Sequence, residues 1–332
     1  MNHEAGLKPI PVSELASSFE GFLEFKRATG LKYVSEERTL KYFTRYCQEH
    51  YPGGNLPEDA IFDWINENDN RSLKTKSNHA GVMTAWARYM FSLGYRQMRI
   101  PDIRCPKNTA FVPHIFTAQE MASIWNTVDR IKPQNINPNL HKCIPVLFRL
   151  LYSCGLRISE ALGITSNDID FGRNVITIRH AKLDKDRWVP MGRSISNVMR
   201  KYVDCQRDKI TPDAPIFYYH PKKVLTPSSV YGRFRITLED SGIPYEGPLR
   251  GPRLHDFRHT FAVNAMNRMS DAGYDLYVSL PILSAYLGHS GIGSTERYIR
   301  LTEDRLSTIT DSMQLHLPEV FPEVADDEEI QL

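Results

Sequence analysis

The chain has no apolar run approaching the roughly 20 residues that a membrane-spanning helix requires. Its opening residues, MNHEAGLKPIPVSE, contain neither a basic n-region nor an apolar h-region. Both absences point to a protein that stays where it is made, in the cytoplasm, with no membrane among its partners. Cysteine is scarce: Cys47, Cys105, Cys143, Cys154 and Cys205 are widely spaced and form no CxxC pair. That excludes a disulfide framework or a structural zinc and fits reduced thiols. There is also no GxxxxGK phosphate loop, no HExxH motif and no cluster of carboxylates spaced to hold Mg²⁺. No cofactor and no metal site are therefore expected. Lys and Arg are missing from residues 317–332, which hold six acidic residues, so the net charge of +2 becomes +8 for residues 1–316.

What is present is a concentrated basic segment. Residues 71–107 hold Arg71, Lys74, Lys76, Arg88, Arg96, Arg99, Arg104 and Lys107 against one acid, Asp102. A polyanion is the natural partner of such a segment, and Lys74, Lys76, Arg88 and Arg96 are the candidate DNA-binding residues; the bland alternative is a solvated helix face. Apolar periodicity predicts four helices around this charge. The first spans 13–30, with Ser13 as its cap, and the second starts near Ser35, where SEER supplies a cap and early acids. The third follows Pro57 and carries Ile61, Phe62, Trp64 and Ile65, and the fourth covers 72–93. Residues 1–100 thus read as a small all-α domain, and Pro101, Pro106 and Pro113 mark residues 101–113 as an extended linker.

A second domain, 114–316, opens on the capping box TAQE at Thr117. It continues with an apolar helix over 141–153 and a short helix in LRISEALGI. The period then changes from 3.6 to 2: Val175 to His180 and Arg187 to Met191 read as two strands joined by the polar turn AKLDKD, which carries Lys182 and Lys185. Tyr218 to Pro227 reads as a polar loop. Helices return in SSVYGRFRITLEDSG, FAVNAMNRM and LPILSAYLG, and a last one is expected from Glu303 to about Leu315. The expected fold is mainly α with a small antiparallel β-sheet, followed by an acidic, disordered tail at 317–332.

Two motifs in this domain carry chemistry. RLHDFRHTF sets His255 and Arg258 three residues apart, neighbours on a helix, and LGHSGIGSTERYI sets His289 nine residues before Tyr298. Arg donates paired hydrogen bonds to phosphate oxygens, His can donate, accept or move a proton near neutral pH, and a tyrosine is a candidate nucleophile. His259 reads as structural and Asp256 as structural or supporting. Glu160 either positions a neighbouring basic group or is a plain helix-surface residue.

With CGLRISEAL around Arg157 and the hairpin lysine in HAKLDKDRWVP, the order becomes Arg157, Lys182, His255, Arg258, His289, Tyr298. In these four pieces and their order, the chain resembles the tyrosine recombinase (phage integrase) family over nearly its whole length. The segment between Arg258 and His289 is somewhat longer than in compact chromosomal members. The resemblance implies a two-domain C-shaped clamp on double-stranded DNA, with a helical core-binding domain and a catalytic domain. It also implies a homo-tetramer acting on two paired sites through a Holliday junction, accessory DNA-bending proteins as further partners, and exchange of the C-terminal helix from Glu303 between subunits.

The chemistry fits these residues. Attack on an anionic phosphodiester needs cations or donors where charge accumulates. Arg157 and Arg258 can hold the non-bridging oxygens, and His289 can add a hydrogen bond. His255 is the candidate base for Tyr298. By resemblance Lys182 protonates the leaving 5′ oxygen, with Lys185 as the alternative. The implied activity is site-specific recombination through a 3′-phosphotyrosine link for a mobile element. The alternatives are a Xer-like dimer resolvase, a type IB topoisomerase, or a DNA-binding protein without catalysis.

Overall fold

The computed structural model describes residues 7–67, 69–104, 112–179, 186–206, 211–220, 223–245, 247 and 251–288. Its chain divides into two compact units, residues 1–110 and 111–332. In the first, the apolar residues at helical spacing lie on α1 (Leu15–Ala28), α2 (Val34–His50), α3 (Ala60–Glu67) and α4 (Leu73–Ser92). Their inward faces meet around two fully buried tryptophans: the Trp86 ring lies 4.9 Å from Phe19 and the Trp64 ring 5.2 Å from Phe43. Burying aromatic side chains of this kind contributes about 1.5–3 kcal/mol each. α4 starts where the Ser72 hydroxyl accepts from the Thr75 N–H at 3.1 Å, satisfying one of the orphan donors of its first turn.

Two helices lack the serine caps expected from the sequence, although α2 starts near Ser35 with Glu36 and Glu37 in its first turn as expected. α1 follows a short 3₁₀ turn over Val12–Glu14 and has no side-chain cap, so Ser13 does not cap it. α2 begins one residue before Ser35, with Tyr33 at its N-cap in the left-handed conformation (φ 47°). The Tyr33 ring packs edge-on to Phe22 at 5.8 Å. The helix start thus coincides with a tertiary contact that no local motif encodes.

The second unit is mostly helical with a small antiparallel sheet. In chain order it comprises α5 (Ala118–Asp129), α6 (Leu140–Cys154), α7 (Ile158–Leu162), β1 (Ile169–Asp170), β2 (Val175–Ile178), β3 (Arg187–Pro190) and α8 (Arg193–Asp204). Then follow β4 (Tyr218–His220), β5 (Lys223–Val224), α9 (Pro227–Asp240), α10 (Asp256–Asp271) and α11 (Leu276–Leu287). The three-stranded sheet runs β1-β2-β3, with Ile169 opposite Ile176, Ile176 opposite Val189 and Ile178 opposite Arg187. β1, two residues long, is too short to show a period. The expected loop from Tyr218 to Pro227 is instead a hairpin leading directly into α9. Buried Tyr218 and Tyr219 hold it, because Asn139 Nδ2 donates to the Tyr218 carbonyl and the Asn139 N–H to that of Tyr219.

α6 is the axis of this unit, burying Ile144, Leu147, Phe148 and Leu151 and packing against α5, α8 and α10. Phe257, fully buried on the first turn of α10, lies 5.6 Å from the Phe148 ring and 5.3 Å from that of Phe234. It thereby anchors the turn that carries His255, two residues before it, and Arg258, the residue after it. Outside the described residues fall Lys182, Lys185, His289, Tyr298, residues 105–111 of the expected linker, the helix expected from Glu303 and the tail at 317–332. Among the described residues, no helix is long and apolar enough to cross a membrane.

Candidate active site

Gly155 closes α6 in the left-handed conformation (φ 59°), the usual role of glycine after a helix. Its tight turn delivers Arg157 to the N-cap of α7. Glu160, three residues on, accepts from the Arg157 N–H at 2.9 Å and from its Nη1 at 2.7 Å. The same carboxylate takes a two-pronged pair from Arg187 of β3, Nη1 to Oε1 at 3.0 Å and Nη2 to Oε2 at 2.8 Å. Glu160 has only 7% of its side chain exposed. Burial alone would raise its pKa, but the bonds from Arg187 and from the Arg157 backbone and side chain outweigh it and bring the value down to about 2. Glu160 is thus a clamp between two guanidiniums, and the reading of it as a helix-surface residue does not hold.

The three arginines meet again at the end of α11. Arg187 Nε donates to the Tyr286 carbonyl at 3.1 Å, Arg258 Nη2 to that of Leu287 at 2.6 Å and Arg157 Nη2 to that of Gly288 at 3.0 Å. A helix C-terminus leaves its last carbonyls without intrahelical partners and carries partial negative charge, so three cations satisfy both needs. Arg258 is buried, 1% exposed, and its Nη1 also donates to the Gly155 carbonyl at 2.7 Å, joining the ends of α6 and α11. Among the described residues this places three guanidiniums beside one another, two of them sharing the Glu160 carboxylate, an arrangement suited to an anionic ligand.

Gly155 is under two constraints at once. A Cβ there would meet Phe261 Cδ1 at 2.5 Å, and its φ is unfavourable for any other residue. Gly155→Ala is expected to lower the unfolding free energy by about 1–3 kcal/mol from backbone strain alone, with the ring clash adding to it. The urea midpoint is the measurement, and a midpoint equal to wild type would refute this account of the α6 terminus.

His255 occupies the N-cap position of α10, with its ring exposed and 4.9 Å from His259. The protein crowding around it, then the charges of Arg258 and Arg157, lower its pKa to about 4 against a smaller opposing effect of Glu160. Water reaches the exposed side and moderates the loss of solvation, while the two guanidiniums keep the shift downward. The imidazole is therefore neutral at pH 7. Asp256 is buried, 1% exposed; its Oδ2 accepts from the Arg253 N–H at 2.7 Å and burial raises its pKa to about 6. Its backbone carbonyl takes the Thr260 hydroxyl, which accepts in turn from the Phe116 N–H, so this residue belongs to the scaffold of the α10 start.

The structure therefore brings Arg157, His255 and Arg258 together, although Arg157 and Arg258 are about one hundred residues apart in sequence. Lys182, His289 and Tyr298 lie outside the described residues. Of the candidate DNA-binding residues, Lys74, Arg88 and Arg96 are exposed, and Lys76 lies 3.7 Å from Asp69. Lys74, Gly81 and Arg88 recur every seven residues along α4. Gly81 and Arg88 also border a groove of about 610 Å³ lined by Ser77, Thr84 and Gln97. Arg187 was not among the candidates. Its signal was its phase: Trp188 is 73% exposed and Val189 fully buried, so Arg187 shares the inward face of β3. A charge on an inward face requires a partner.

A sequence profile described as the phage integrase family matches residues 114–305. The protein y4rB of Sinorhizobium fredii, which carries an integrase/recombinase name, is 26% identical over 296 residues, covering 87% of this chain and 93% of that one. The tyrosine recombinase XerA of Thermococcus onnurineus is 22% identical over 305 residues, covering 92% and 96%. Among solved structures, the Tn1549 transposon integrase in complex with circular intermediate DNA superposes with a TM-score of 0.58 at 19% identity, covering 87% of this chain and 95% of that one.

Proposed function

The chain belongs to the phage integrase family, and from that premise we propose that it is a site-specific recombinase that cuts and rejoins double-stranded DNA for a mobile element. The observation that carries this reading is the meeting of Arg157 and Arg258 on the two carbonyls that immediately precede His289, with His255 close enough for both charges to lower its pKa. In the proposed reaction Arg157 and Arg258 hold the non-bridging oxygens of the scissile phosphate, where charge builds up as the tyrosine attacks. His255 accepts the phenol proton, the Tyr298 oxygen bonds to phosphorus, and the bond to the 5′ oxygen breaks as Lys182 protonates it. His289 adds a hydrogen bond. Bond energy stays in the 3′-phosphotyrosine, so a second 5′ hydroxyl can reverse the step without ATP or a metal.

In this reading residues 1–100 are the core-binding domain, 101–113 the linker, 114–316 the catalytic domain and 317–332 the tail. The two domains close as a C-shaped clamp on the duplex, and four subunits work on paired sites in the cytoplasm with accessory DNA-bending proteins. The exposed Lys74, Arg88 and Arg96, with Lys76, would carry phosphate contacts. The transposon integrase fold and the name of y4rB favour a mobile element. The similarity to XerA keeps dimer resolution as the second reading.

The test is covalent trapping. Wild-type protein is incubated in EDTA with a nicked duplex carrying the site that the protein itself selects from a random duplex library. An SDS-resistant protein–DNA adduct is expected. Site-specific binding without an adduct would overturn the recombinase reading in favour of a non-catalytic DNA-binding protein.

The pH profile gives a second test. A base with pKa about 4 is neutral, and so competent, above that value; Glu160, at about 2, stays ionised over the same range. At subsaturating DNA, where the rate reports the free enzyme, adduct formation should be flat from about pH 8 down to about 5 and fall as pH drops through about 4. An acid limb centred near the unperturbed histidine value of about 6.5 would refute the downward shift of His255 in this site.

A further inference from the structure

Arg187, in the HAKLDKDRWVP stretch, has no role in the reaction as written, yet its guanidinium reaches both Glu160 and the end of α11. Its guanidinium forks onto both oxygens of Glu160 and its Nε donates to the Tyr286 carbonyl. It also packs flat against Gly288: a Cβ at that position would lie 3.1 Å from Nη1 and 3.2 Å from both Cζ and Nε. Gly288 sits in the left-handed conformation (φ 65°) and is the residue before His289. Two independent geometrical features, a shared carboxylate and a glycine whose missing Cβ leaves the guanidinium its close approach, thus converge on one side chain.

We propose that Arg187 is a positioning residue for strand cleavage, acting on Arg157 through Glu160 and on the exit of α11 through Tyr286 and Gly288. The inference rests on the recombinase reading above. The physical reason is competition for one carboxylate. Glu160 can accept a two-pronged pair from either guanidinium, and Arg187 takes that arrangement, leaving Arg157 held through its Nη1 and its backbone N–H. Without Arg187, Glu160 closes fully on Arg157 and neutralises the group that must face the phosphate. The α11 exit also loses the guanidinium that lies against Gly288. Lysine cannot replace this arrangement, because a single ammonium cannot fork onto a carboxylate while a third N–H reaches a carbonyl.

The experiment is single-turnover cleavage of the selected, nicked duplex by wild type, Arg187→Lys and Arg187→Gln. Three quantities are read: the rate constant at saturating DNA, the fraction of protein that reacts and the half-saturating DNA concentration. A displacement of reacting groups by about 1 Å is worth roughly 10²-fold in rate. Both variants should therefore react roughly 10²-fold more slowly, with half-saturation changed less than about threefold. Adding Glu160→Gln to Arg187→Gln should slow the reaction no further, because the carboxylate that Arg187 restrains is then gone. A fall in the reacting fraction with an unchanged rate constant would mean that Arg187 only supports folding, and would overturn the proposal, as would wild-type rates in both variants. No adduct from wild type would fail the recombinase reading itself and this inference with it.

Discussion

Tyr298→Phe is expected to bind its selected site with wild-type affinity and to form no SDS-resistant adduct. The substitution removes one oxygen atom and no charge at neutral pH, because the phenol, with a pKa of about 10, is protonated when free. Affinity for DNA comes mainly from cations spread over many phosphates, so one neutral hydroxyl contributes little to it. The adduct is a bond to that oxygen, and its loss costs roughly 10⁶-fold, the size found when a catalytic nucleophile is deleted. The chain has 16 tyrosines, so mapping the DNA-linked peptide is part of the measurement. An adduct of wild-type yield in the Tyr298→Phe variant would place the nucleophile elsewhere and break the match between this sequence and its family.

Arg258→Lys is expected to lower the cleavage rate constant of the reacting fraction by roughly 10²–10³-fold, the worth of one preorganised donor in a transition state. Charge is retained, so the effect isolates the geometry of the guanidinium. Arg258 also carries a structural load: it is 1% exposed and bonds the Gly155 and Leu287 carbonyls at 2.7 and 2.6 Å. Lysine can serve one of them. A buried carbonyl left unmade costs about 1–3 kcal/mol, so the urea midpoint should fall together with the rate. The two effects are separable because the rate constant is read only on molecules that react. An unchanged rate constant with a lowered midpoint would assign Arg258 to the scaffold and leave the phosphate to other groups.

Much of the helical framework was legible without coordinates. The spacing of Phe19, Phe22, Phe43, Trp64 and Trp86 predicts four helices with inward aromatic faces, and these residues are buried on α1 to α4. The capping box at Thr117 forms as its letters indicate. Errors gathered where tertiary contacts override local pattern. Tyr33 stands at the N-cap of α2 with its ring against Phe22, and the first of the two short strands at Tyr218 and Lys223 is tied down by Asn139, which binds the carbonyls of Tyr218 and Tyr219. Strands of two or three residues carry no period that a sequence could display.

The chemistry divides in the same way. By itself the sequence determined which groups are available: two arginines, two histidines, a hairpin lysine and a tyrosine in an order that few other chemistries would require. Side-chain type is written in the letters, and helix faces follow from a local repeat. Tertiary structure alone decided that Glu160 is shared between Arg157 and Arg187, and that the last carbonyls of α11 are the common anchor of three arginines. Every residue possesses a backbone carbonyl, so nothing in the letters marks those of Tyr286, Leu287 and Gly288 as partners of cations. They become so because α11 ends beside the turn at Gly155, where carbonyls left unpaired by one helix meet guanidiniums delivered from another helix, a loop and a strand.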